Sequence, residues 1–155
     1  MALQKGDKAP DFKLFNSDKQ EVSLSDYKGK NVVILFFPLA FTGTCTAELC
    51  EMRDNISIYS NLNAEVLAIS VDSLFTLDKY KAEQKLPFNL LSDFNKDTSV
   101  AYGSLYENFV LGMKGVSKRS AFVVDVDGNI QYAEILEDAG KVPNFEAVQS
   151  ALQSL

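Results

Sequence analysis

Cys45 and Cys50, five residues apart, are the only thiols in the chain, and the chain has no histidine. Without imidazole there is no Ser–His–Asp or Cys–His nucleophile pair, no His-ligated zinc and no imidazole proton shuttle. Two thiols alone are too few ligands for a closed zinc site. The Cys-x2-Cys of a thiol–disulfide oxidoreductase is absent, as are Gly-x-Ser-x-Gly and P-loop patterns. Whatever chemistry the chain does, it does without imidazole, and the cysteines are either reactive thiols or small buried apolar residues. The thiolate is the reactive form, so the question is which cysteine the fold sets beside positive charge.

The elements around Cys45 answer in part. Val32-Val33-Ile34-Leu35-Phe36-Phe37 is a β-branched and aromatic run, as in a strand buried on both faces. After a turn over 38–44, Leu49, Met52, Ile56, Tyr59 and Leu62 recur at helical spacing and predict one helix over about 46–61. Cys45 therefore stands at the first turn of a helix that leaves the end of a core strand. Unpaired N–H groups and the positive end of the helix dipole favour an anion there. The same position also suits a small buried apolar residue, which is what most free cysteines are. Along a helix, Cys45 and Cys50 lie about 7.5 Å and about 140° apart. A disulfide needs Cα atoms within about 7 Å and converging Cβ vectors, so joining them requires the first helical turns to unwind.

Further along, 65–71 reads as a second core strand, and Ser73 as the N-cap of a helix running to about 85 before Pro87. Segment 88–91 suggests a short strand and 98–102 a helical turn. Strands over 121–124 and 130–133 flank Asp125-Val126-Asp127-Gly128-Asn129, a hairpin signal. Phe145, Val148, Leu152 and Leu155 mark a closing helix, and 11–15 with 21–24 an N-terminal hairpin. Segment 105–118 has few periodic apolar positions and is the longest candidate loop. The order ββ, β-α-β-α, β-β-α predicts an α/β, thioredoxin-like fold with a mixed central sheet flanked by helices and an N-terminal β-hairpin extension. In such folds ligands bind beyond the carboxyl ends of the parallel strands, where Cys45 lies.

With 155 residues, 46% hydrophobic and 23% charged, the chain is expected to be a single domain over residues 1–155. A net charge of −6 argues against nucleic-acid backbones and anionic membranes as partners. The start has no basic region followed by an apolar stretch, and the longest apolar run, 32–41, is about half of a membrane span. Few cysteines and no signal together point to a reducing, cytoplasmic location.

Pro38, Thr42 and Cys45 form Pro-x3-Thr-x2-Cys, which resembles the active-site motif of the peroxiredoxins. The resemblance covers nearly the whole chain. Gly6-Asp7-Lys8-Ala9-Pro10-Asp11-Phe12 is similar to the family's N-terminal signature, and Arg119-Ser120-Ala121-Phe122-Val123-Val124-Asp125 to its second active-site segment. Residues 37–43, Leu90-Leu91-Ser92-Asp93-Phe94 and Ala101-Tyr102-Gly103 are close to the AhpE type, whereas Cys45-x4-Cys50 resembles the Q type, also called bacterioferritin-comigratory protein.

The resemblance implies a thiol-dependent peroxidase acting on hydrogen peroxide and organic hydroperoxides, with no cofactor and no metal. Cys45 would be the peroxidatic cysteine and pass through a sulfenic acid. Arg119 would be a fixed cation beside the sulfur, Thr42 a hydroxyl for the peroxide and Pro38 a shield against water. Glu48 would orient Arg119, and N–H groups near Thr44 and Cys45 would serve as an oxyanion hole. Cys50 would be the resolving cysteine, as in the Q type; the AhpE type generally lacks a thiol here. Each residue also has a plainer reading: Arg119 as a surface charge, Thr42 as a cap, Glu48 as a first-turn acid, Cys50 as a core thiol. Thioredoxin, glutaredoxin or a low-molecular-weight thiol would be the reductant. A homodimer is also implied, with Phe41 and Phe75 in segments able to supply the contact. A peroxide sensor or holdase would begin with the same oxidation of Cys45.

Overall fold

The computed structural model describes residues 3–155. An N-terminal hairpin, β1 (Lys13–Asn16) and β2 (Glu21–Ser23), leads through a 3-10 turn to β3 (Asn31–Phe36), α1 (Gly43–Asp54) and α2 (Ile56–Asn61). There follow β4 (Ala64–Ser70), α3 (Leu74–Gln84), β5 (Asn89–Ser92) and α4 (Asp97–Ala101). The pair β6 (Leu105–Tyr106) and β7 (Val116–Ser117) precedes β8 (Ser120–Val124), β9 (Ile130–Ile135) and α5 (Phe145–Gln153). Seven strands form one mixed sheet in the order β2-β1-β5-β4-β3-β8-β9. Strands β3, β4 and β5 run parallel, β8 pairs antiparallel with β3, and the N-terminal hairpin extends the sheet at β5. This is the thioredoxin-like arrangement expected.

All six residues of β3 are buried. Val33 and Leu35 pack under the helices with Leu49, Leu77, Tyr80 and Leu152, while Ile34 and Phe36 pack on the other face with Tyr102 and Phe122. Alternation along a pleated strand sends successive side chains to opposite faces. An unbroken apolar run is therefore what a strand covered on both sides requires.

Two regions differ from the expectations. The single helix expected over 46–61 starts at Gly43 and is divided at Asn55 (φ −113°, ψ 16°). The Asn55 side-chain amide donates to the Glu51 carbonyl at 2.9 Å, a local bond that competes with the helical ladder. The apolar stripe survives the break because Met52 and Tyr59 still face the core. The expected loop over 105–118 is a short hairpin, pairing Leu105 with Ser117 and Tyr106 with Val116. Strands of two residues leave no periodic trace. Its tip turns through Leu111 (φ 57°) and Gly112 (φ 76°). Among the described residues, no helix is long and apolar enough to cross a membrane.

Candidate active site

Strand β3 delivers the chain to a turn that bends sharply before α1. The Ala40 N–H donates to Asp72 Oδ2 at 2.8 Å, and the same oxygen accepts from the Ser70 hydroxyl at 2.7 Å. Phe41 takes a left-handed conformation (φ 64°), unusual for a bulky residue. Thr42 is the extended N-cap of α1, and its hydroxyl donates to the Leu39 carbonyl at 2.8 Å rather than capping the helix. Three residues later Cys45 is buried in the first turn, at 1% exposure.

Arg119 arrives from the opposite side. It lies between β7 and β8, and the pairing of Phe36 with Ser120 sets it beside the end of β3. Its guanidinium is buried, at 2% exposure for the residue, which excludes the surface-charge reading. Nη2 donates to Cys45 Sγ at 3.3 Å, Nη1 to Glu48 Oε1 at 2.6 Å, and Nε to the Ala139 carbonyl at 3.0 Å. Burial disfavours a charged Arg119, but Glu48 and Cys45 outweigh it and hold its pKa above the ordinary value. Glu48 is fully buried and, among the described residues, its Oε2 has no hydrogen-bond partner. Burial pushes its carboxyl up to about 8, against the opposing pull of Arg119. The guanidinium does not give up its proton, so titration of this pair falls on Glu48.

Cys45 and Arg119 open into a depression of about 350 Å3 with Pro38 and Thr42 on one side. Phe109, Val110, Leu111 and Met113 from the β6–β7 hairpin make an apolar opposite wall, with Leu111 94% exposed. A wider groove of about 710 Å3 passes between Phe15, Phe75 and Phe94, but no thiol lines it. Of the two, the smaller depression is the one lined by a thiol and a guanidinium. Cys50 is not brought to Cys45. It stays in the same unbroken helix, half-buried, and its thiol donates to Gln84 Oε1 at 3.5 Å at the end of α3.

The AhpC/TSA family model matches residues 5–133. The chain belongs to the AhpC/TSA family. It is a peroxiredoxin, a thiol-dependent peroxidase enzyme. It is 35% identical to peroxiredoxin Bcp of Bacillus subtilis over 157 residues, covering 100% of this chain and 96% of the relative. It is 39% identical to alkyl hydroperoxide reductase E of Mycobacterium tuberculosis over 156 residues, covering 99% and 98%. Among solved structures, it is similar to a cysteine-to-serine mutant of Xylella fastidiosa PrxQ, with TM-score 0.88, 26% identity and 99% and 98% coverage. Peroxidoxin BcpB from M. tuberculosis superposes with TM-score 0.87 at 25% identity, with the same coverage.

In this peroxiredoxin, Asp72 and Tyr80 support the elements beside the site, the Ala139 carbonyl holds Arg119, and no sequence motif singles them out. Asp72 holds the turn after β3, Tyr80 bonds Thr46, and Ala139 takes the third guanidinium contact. An Asp two residues past a core strand, just before the Ser73 cap, is the one legible signal among them.

Proposed function

We propose that this chain reduces hydrogen peroxide and organic hydroperoxides at Cys45. The observation that carries the reading is the 3.3 Å contact of a buried guanidinium with a buried sulfur in a helix's first turn. The Cys45 thiolate attacks one peroxide oxygen and the O–O bond breaks. The other oxygen leaves as hydroxide or alkoxide, and Cys45 becomes a sulfenic acid. Arg119 offers fixed donors to charge developing on the oxygens, and Glu48 with Ala139 keeps its plane in place. Because the Thr42 hydroxyl proton is committed to Leu39, Thr42 receives a hydrogen bond from the hydroperoxide rather than giving one. Pro38 adds no donor and keeps water from the sulfur.

In the second step Cys50 resolves the sulfenic acid to a Cys45–Cys50 disulfide. A thioredoxin-type dithiol, a glutaredoxin or a low-molecular-weight thiol then restores both thiols, which suits a reducing, cytoplasmic compartment. The half-exposed Phe41 and the exposed Phe75 offer apolar contacts for a homodimer. The cradle at Gln84 supports a second reading, in which an external thiol resolves Cys45 and Cys50 stays in place.

Intact mass after one equivalent of hydroperoxide, with and without a sulfenic-acid trap, separates the two. Loss of two hydrogens mapped to Cys45 and Cys50 is expected. A trappable oxygen on Cys45 with Cys50 reduced would select the external thiol. Cys45→Ser should abolish turnover, and Arg119→Ala should slow Cys45 oxidation by about a hundredfold or more, as loss of an oxyanion donor does. Full activity in Cys45→Ser would overturn the assignment.

A further inference from the structure

Helices α1 and α3 are joined by two polar rungs. Thr46 Oγ1 and the Tyr80 hydroxyl lie 2.9 Å apart, and the Cys50 thiol donates to Gln84 Oε1. Residues 46 and 50, like 80 and 84, are four apart and share a helix face. The second rung is reinforced by Arg53, whose Nη1 donates to the Gln84 carbonyl at 2.6 Å. The later half of α1 is thus fixed to α3 at the end where Cys50 sits. Among the described residues, the first turn has Tyr80 alone as its polar tie to α3. Tyr80 is fully buried, and Thr46 is the one hydrogen-bond partner of its hydroxyl among the described residues. Its ring also lies 4.9 Å from that of Phe41, whose left-handed backbone starts the same turn, and 6.2 Å from Phe37.

We propose that Tyr80 is a positioning residue that holds the first turn of α1 closed and so sets the rate at which oxidised Cys45 reaches Cys50. The inference rests on the reading of Cys50 as the resolving thiol. An intact helix keeps the two sulfurs apart, so the turn over 43–46 must open before resolution. Opening takes from the buried Tyr80 hydroxyl its hydrogen-bond partner, a cost that opposes the movement. The strain at Phe41 is released by the same movement and favours it. Once the turn is open, the Cys50 thiolate attacks the sulfenic sulfur of Cys45. The S–S bond forms, the S–O bond breaks, and the departing hydroxide takes up the proton given by Cys50 and leaves as water. While the turn stays closed, the sulfenic acid remains available to a second hydroperoxide, which oxidises it to sulfinic acid. Tyr80 therefore governs the partition between disulfide and overoxidation without touching a reacting atom.

The test measures Cys45 oxidation and disulfide formation separately, by rapid mixing with hydrogen peroxide, acid quench and intact mass. Variants are Tyr80→Phe, Thr46→Val, the double variant and Cys50→Ser. Tyr80→Phe keeps the ring packing and removes only the hydroxyl. Disulfide formation should rise about fivefold, equivalent to about 1 kcal/mol at about 1.36 kcal/mol per factor of ten. Cys45 oxidation should not change, and less sulfinic acid should accumulate in excess peroxide. Thr46→Val should reproduce the effect, and the double variant should add nothing to it, since all three break the same bond. Equal change in both rates, additive effects, or unchanged disulfide formation would overturn the role of Tyr80, provided Cys50→Ser prolongs the sulfenic acid. If Cys50→Ser leaves the sulfenic lifetime as in the wild type, the resolving role of Cys50 fails and this inference falls with it.

Discussion

Arg119 commits its nitrogens to three different places: the Cys45 sulfur, the Glu48 carboxyl and the Ala139 carbonyl. Such a fork cannot rotate about its long axis without losing a partner, which a lysine ammonium could do freely. The cost of this order falls on Glu48, buried with one oxygen unpartnered among the described residues. Its carboxyl is raised from 4.5 to about 8 by burial, so the folded protein binds a proton that the unfolded chain has released above pH 4.5. The stability that this proton contributes is fully present below about pH 4.5 and is lost as pH rises through about 8. Glu48→Gln keeps the shape and removes the titration. Thermal melting across this range should show the variant gaining on the wild type as pH rises, whereas a constant difference between the two would place the titration elsewhere.

At the scale of elements, the decisive junction is the turn between β3 and α1. Asp72, from the loop after β4, braces it through the Ala40 N–H, and the Asp72 carbonyl in turn accepts from the Ser92 hydroxyl. Adjacent parallel strands thus fix the turn from which Cys45 starts. Asp72→Ala removes that brace while leaving every residue that faces the peroxide. Misplacing a reacting group by about 1 Å can cost about a hundredfold, so a drop of about tenfold in Cys45 oxidation is expected from stopped-flow measurement. A wild-type rate in this variant would mean that the backbone turn holds itself. Helix α1 serves two purposes that oppose each other. In the proposed cycle its first turn is ordered to set Cys45 against Arg119, and opens for Cys45 to meet Cys50.

Across the whole molecule, the proposed opening leaves the sheet in place, because the sheet does not depend on it. All six residues of β3 pair with β4, and residues 32–36 pair also with β8, between two apolar clusters. Leu49 and Met52 anchor the rest of α1 in the larger cluster. Local opening at low cost beside a stable core is the usual gradient of stability within a domain. Hydrogen exchange of the disulfide form against the reduced form should therefore show faster exchange confined to the amides of α1 near residues 43–50. The amides of β3, β4 and β8 should be unchanged. Loss of protection through the central sheet would mean that oxidation loosens the entire fold.

Periodicity and residue type by themselves determine much of this protein. The apolar run at 32–37, the stripe from Leu49 to Leu62, the Ser73 cap and the Asp-Gly hairpin each state a local preference. Local preferences are what a sequence carries openly. The Pro38, Thr42 and Cys45 spacing is local too, and it marks the candidate site. The contacts of Arg119 are not legible in that way: they join residues 71 and 74 positions apart, and only the pairing of β8 with β3 brings them together. The same holds for Tyr80 and Ala139, since nothing in their own neighbourhoods marks them, and for Asp72 beyond its place just after a core strand. The break at Asn55 goes with a side-chain bond to the Glu51 carbonyl that the apolar stripe does not register. The short strands around Leu105 and Ser117 are decided by pairing alone. Sequence determined which cysteine stands at a helix's start; tertiary structure decided what faces it, because burial and charge are set by neighbours distant in the chain.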